Sequence, residues 1–62
     1  MKILWYKMDY HYDVLEERVL VGKSVRSTAK HLAFITKGKL SIDNKSVYDG
    51  LFTWHFQILE YE

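Results

Sequence analysis

Residues 2–12, KILWYKMDYHY, alternate with period two: Leu4, Tyr6, Met8, Tyr10 and Tyr12 share one parity, and Ile3, Trp5, Lys7, Asp9 and His11 the other. Successive side chains of a strand point to opposite faces, so this stretch reads as a strand whose even, more uniformly apolar face is buried. After a tight connection at Asp13, the β-branched run from Val14 to Val21 reads as a second strand, with Leu15, Val19 and Val21 on one face. Glu17 shares their parity, which calls for a bulge or for an edge strand that tolerates an inward charge.

Between Ser24 and Gly38 the period changes. Val25, Ala29, Leu32, Ala33 and Thr36 recur at the spacing of one helical face. Ser24, or Ser27 in its place, is suited to the N-cap, and Gly38 to the position just past the end. Residues 39–51 carry turn chemistry at Asp43-Asn44 and Asp49-Gly50 around short apolar pieces at Leu40, Ile42, Val47 and Tyr48, which predicts a structured loop or a short extra hairpin. The end, LFTWHFQILEYE, alternates again, with Phe52, Trp54, Phe56 and Ile58 on one parity and Thr53, His55, Gln57, Leu59 and Tyr61 on the other. It is the third predicted strand.

The predicted fold is therefore a single small α+β domain over residues 1–62 with the order ββαβ. A right-handed crossover places the last strand beside the first, giving a three-stranded antiparallel sheet of order 2-1-3 with the helix packed on one face. On this scheme Asp9 lies opposite His55, Trp5 opposite Leu59 and Ile3 opposite Tyr61. Ile3, Trp5, Leu59 and Tyr61, with Leu20 beside them, form an apolar cluster on the face that the helix leaves open. Exposed clusters of this kind mark interaction sites.

Length sharpens that expectation. Surface scaling for 7.5 kDa gives about 4,200 Å² folded against about 10,900 Å² unfolded, so only about 60% of the surface is buried. The chain has no cysteine with which to staple so thin a core, and association with a second copy is the remaining device. With 48% hydrophobic and 27% charged residues the composition is globular, and no apolar run approaches the length of a membrane span or signal peptide. A cytoplasmic location fits these features.

A net charge of +1 gives no global case for nucleic acid, but its distribution is uneven. From residue 18 to residue 42 there are six cations and no acid. Within that block Lys23, Arg26, Lys30 and Lys37 fall along one helical face, a basic ridge suited to a phosphate backbone or an acidic partner. A plain solvated face is the competing explanation.

Chemistry has few other footholds. His11, His31 and His55 are the side chains that titrate near neutrality, and an Asp9–His55 pair with His11 diagonal to it has the makings of a base or of part of a metal site. No nucleophile stands at a recognisable spacing from them, and the lone Gly22-Lys23-Ser24 lacks the upstream glycines of a phosphate loop. No catalytic residue, cofactor or metal is expected. The sequence reads as a non-catalytic, homodimeric protein-interaction module with a protein partner and no membrane. A short chain without enzymatic motifs suits a regulator or inhibitor of a host enzyme, of the kind encoded by phages and other mobile elements. A small nucleic-acid-binding protein using the basic helix face is the alternative.

Overall fold

A computed structural model describes residues 1–61. The strands β1 (Lys2–Met8) and β2 (Val14–Val21) are followed by the helix α1 (Val25–Thr36), the two-residue strands β3 (Lys39–Leu40) and β4 (Val47–Tyr48), and the long strand β5 (Thr53–Glu60). All neighbours pair antiparallel in one sheet of order β2-β1-β5-β4-β3. The α+β class and the central order of the three long strands match the expectation. The three-stranded sheet is corrected to five, because residues 39–48 form a hairpin that extends the sheet beyond β5.

The helix starts and stops for local reasons. Ser24 is the N-cap, its hydroxyl accepting from Ser27 N at 3.1 Å, while Ser27 Oγ accepts from Ser24 N at 3.2 Å. The two candidate caps thus make one reciprocal capping box. At the other end Lys37, not Gly38, takes the left-handed conformation (φ 56°), and Gly38 N–H reaches back to Ala33 O at 2.9 Å. Gly38 is required by proximity: a Cβ there would lie 2.7 Å from Tyr48 O, so only glycine lets the chain leave α1 directly beneath β4.

The core lies between α1 and one sheet face, built from Ile3, Trp5, Ala29, Leu32, Val47 and Trp54. Trp5 is 0% exposed, and its indole N–H donates to Thr28 Oγ1 at 3.0 Å, so the largest apolar side chain is buried with its polar edge satisfied. Phe56 lies beside it, ring centroids 5.5 Å apart. The parity expected for β1 is therefore reversed. Ile3 and Trp5 face the helix, and Leu4, Tyr6 and Met8 face away from it.

The expected pairing of β1 with β5 is displaced accordingly. Trp5 opposes Phe56, Ile3 opposes Ile58 and Tyr6 opposes His55. An odd displacement exchanges the faces of a strand, which is why the even parity of β5 is correctly inward while that of β1 is not. The apparent alternation also runs past the true strand. β1 ends at Met8, and residues 9–13 form a turn in which Asp9 Oδ1 accepts from the backbone N–H groups of His11 (2.8 Å) and Asp13 (3.0 Å). Tyr10 and Tyr12 belong to that turn and had no vote on the buried face. Bulges leave Leu15 unpaired in β2 and Leu59 unpaired in β5. Of the alternatives raised for Glu17 the bulge is present, at Leu15; β2 is also an edge strand, but Glu17 is no inward charge, being exposed opposite Tyr6.

Candidate functional site

Three surfaces remain once the core is assigned. The first is the sheet face opposite α1. Leu4, Tyr6 and Met8 lie along its centre, half-buried only by their neighbours, with Val19 opposite Leu4 and Val21 opposite Lys2. Val21 is 77% exposed. His55 continues the surface beside Tyr6, with ring centroids 5.9 Å apart. Lys2 lies at one end of this patch with Glu60 opposite it on β5, and Glu17 stands opposite Tyr6, with the Met8–Val14 pair beyond.

The interface residues expected from sequence divide on this face. Ile3 and Trp5 lie under the helix, and this is a correction: a side chain with no accessible surface cannot reach a partner. Leu59 and Tyr61 are exposed, Leu59 in the β5 bulge and Tyr61 just beyond the strand. Leu20, half-buried, packs against the core on the helix side. Tyr6, Met8, Val19 and Val21, assigned inward from sequence, are the residues that the open face gains.

The second surface is the outward face of α1. Lys23, Arg26, Lys30 and Lys37 are all exposed, and none makes an ion pair with a carboxylate among the described residues. Among the described residues these cations are therefore left to solvent or to a partner. Sequence reasoning missed Phe34, which is 82% exposed in the same row, four residues after Lys30 and three before Lys37. Its signal was available in the helical period, which places it opposite the Ala29–Leu32 stripe. His31 is also exposed.

The third surface is the end of the sheet where the 9–13 turn meets residues 48–53. A cleft of about 200 Å³ opens there, lined by Asp9, Tyr10, Tyr12, Tyr48, Phe52 and His55 among others. The Asp9–His55 pair expected from sequence is corrected. His55 is opposite Tyr6, and the Asp9 carboxylate caps its own turn. His11, expected diagonal to that pair in a strand, is an exposed residue of the same turn. On the other side of this end, Lys7 Nζ lies 3.4 Å from Asp49 and 3.7 Å from Glu16, and 5.6 Å from the Trp54 ring centroid. The backbone N–H of Phe52 holds the Asp49 carboxyl below its usual range, with the N–H of Leu51 and Lys7 adding to the effect. Acids are thus gathered at the turn end and cations along the helix. Compared with protein-family models, with curated proteins and with solved structures, the chain matches none.

Proposed function

We propose that this chain is a non-catalytic protein-interaction module that forms a homodimer through the open face of its sheet. The observation that carries the reading is the row Leu4, Tyr6 and Met8, flanked by exposed Val19 and Val21, which no helix covers. A second copy suits the patch because its centre, Leu4 and Val19, carries no charge and can pack on its own image. A two-fold axis across that pair sets Lys2 of one copy over Tyr6 of the other, beside its Glu17, and an isologous interface needs such symmetry. A fold this thin also gains stability from association. Regulation or inhibition of a host enzyme is a role within this reading, since a small domain with an exposed apolar sheet face can act by docking on a larger protein.

Sedimentation of the unmodified chain at micromolar concentration tests the reading, with a dimer expected and a monomer for Val19→Glu. That residue is half exposed, so its substitution spares the core. A monomeric unmodified chain removes the proposal. A second reading, nucleic-acid binding by α1, is favoured by Phe34 standing exposed among unpaired Lys30 and Lys37, since stacking and phosphate contacts are the two parts of single-strand recognition. It requires retention on single-stranded DNA that falls steeply with salt.

A further inference from the structure

Two features mark the cleft at the turn end. Its tyrosines are held in place although they are on the surface. Tyr10 Oη donates to Leu51 O at 2.8 Å, Tyr48 Oη donates to Gly50 O at 2.9 Å, and the Tyr10 ring leans on Phe52 at 5.4 Å between centroids. Both hydroxyl hydrogens are committed to backbone carbonyls of the same loop, so these two tyrosines offer a ligand ring surface and oxygen acceptors but no free donor. The second feature is Tyr12. It takes the left-handed conformation at φ 65°, a region where glycine or asparagine is the ordinary occupant, while its side chain is 81% exposed. A bulky residue at a strained position that contributes no core contact points to a role outside the fold.

The electrostatics select the ligand. Asp9 lines the cleft with one carboxylate oxygen committed to the turn and Oδ2 without a partner among the described residues, Asp13 follows in the same turn, and no lysine or arginine lines the space. Aromatic faces beside an available carboxylate favour a planar cation, which can stack and donate at once. We propose that the cleft receives the guanidinium of an arginine on a protein partner, stacked on Tyr12 and donating to Asp9 Oδ2. The inference rests on the reading of the chain as a protein-interaction module, but the contact lies at the turn end, away from the Leu4–Val19 centre of the proposed dimer.

The test is an NMR titration of the full chain with the blocked tripeptide Ala-Arg-Ala beside its citrulline counterpart, which keeps the shape and lacks the charge. The arginine peptide should shift the ring resonances of Tyr10, Tyr12 and Tyr48, and the citrulline peptide should bind at least about tenfold more weakly. Tyr12→Gly suits the left-handed position, so it should fold at least as well as the unmodified chain while losing about tenfold in affinity, and Tyr12→Phe should retain binding. Equal affinity for the two peptides, or unchanged affinity in Tyr12→Gly, overturns the assignment. Sedimentation on the same samples reads the dimer separately. Peptide binding by a monomer would leave this inference standing without the proposed dimer, and a dimer that ignores the peptide would do the reverse.

Discussion

The two faces of the sheet are both apolar, yet only one is a core. On the helix side, Ile3, Trp5 and Trp54 are buried against Ala29 and Leu32. On the other side, Leu4, Tyr6 and Met8 reach half-burial, and Val19 and Val21 stay in solvent. Hydrophobicity alone does not separate them. What distinguishes the helix side is α1, which closes over it, and there the Trp5 N–H meets Thr28 Oγ1, which in turn donates to Val25 O at 2.9 Å. A buried indole without such an acceptor would forfeit part of what its burial contributes.

The sharpest way to break this comparison is to truncate one residue on each face. Trp5→Ala should lose about 3–5 kcal/mol of stability, enough to unfold a small domain, because it opens a cavity and removes the indole N–H bond to Thr28 Oγ1. Tyr6→Ala, its neighbour on the open face, should lose much less as a monomer, since its ring is already part-solvated. Urea denaturation at a concentration below any dimerisation measures both. Equal losses would mean that the open face is covered after all.

Much of the architecture was legible, and the failures share one cause. The helix was readable because its stripe, its serine caps and Gly38 all agree on the same boundaries. The β5 face was readable because Trp54, Phe56 and Ile58 stand against Thr53, His55 and Gln57, a contrast in polarity. β1 offers no such contrast over Lys2–Met8, where Ile3 and Trp5 compete with Leu4, Tyr6 and Met8. The choice then fell to Tyr10 and Tyr12, which lie beyond the strand. That one inversion puts Ile3 and Trp5 on the partner surface instead of in the core, and the register that goes with it sets Asp9 against His55. The basic face survived because it depends only on the helical period. Phe34 carries no charge, so only the helical period marks it as part of that face.

A smaller effect separates the sheet's acidic end from the rest. The Asp49 carboxyl titrates below its usual range in the fold, so its contribution is fully present above the unfolded value of about 4 and is lost as pH falls through the folded one. Asp49→Asn keeps an oxygen acceptor for the Leu51 and Phe52 N–H groups but loses the charge on those bonds and the Lys7 contact, and should cost about 1 kcal/mol near pH 7. The gap between variant and unmodified chain should close as pH drops below about 4. A gap independent of pH would assign the effect to loop shape and not to charge.

The two buried tryptophans sharpen the argument about polar satisfaction. Trp5 has its acceptor, while the buried Trp54 Nε1 has no hydrogen-bond partner among the described residues. Replacement by phenylalanine removes an indole edge in each case, but only Trp5→Phe breaks a bond. Trp5→Phe should therefore be the costlier by about 1 kcal/mol. Parallel denaturation curves decide it, and the reverse order would mean that packing volume outweighs the hydrogen bond.

The least destabilising change should be on the outer face of α1, the surface farthest in character from the core. Arg26, Lys30 and Lys37 are exposed and unpaired with any described carboxylate, so a triple replacement by glutamine should alter stability by no more than about 0.5 kcal/mol. The capping box is upstream and intact, and glutamine is nearly as good a helix former as lysine or arginine. Silence in stability makes the variant a clean probe of binding. If single-stranded nucleic acid binds here, the log–log salt dependence should flatten by about 0.7 for each lost phosphate contact, while Phe34→Ala weakens binding without changing that slope. If the face is only solvated, neither variant affects retention on DNA, and the open sheet face with its tyrosine-lined end is left to account for binding.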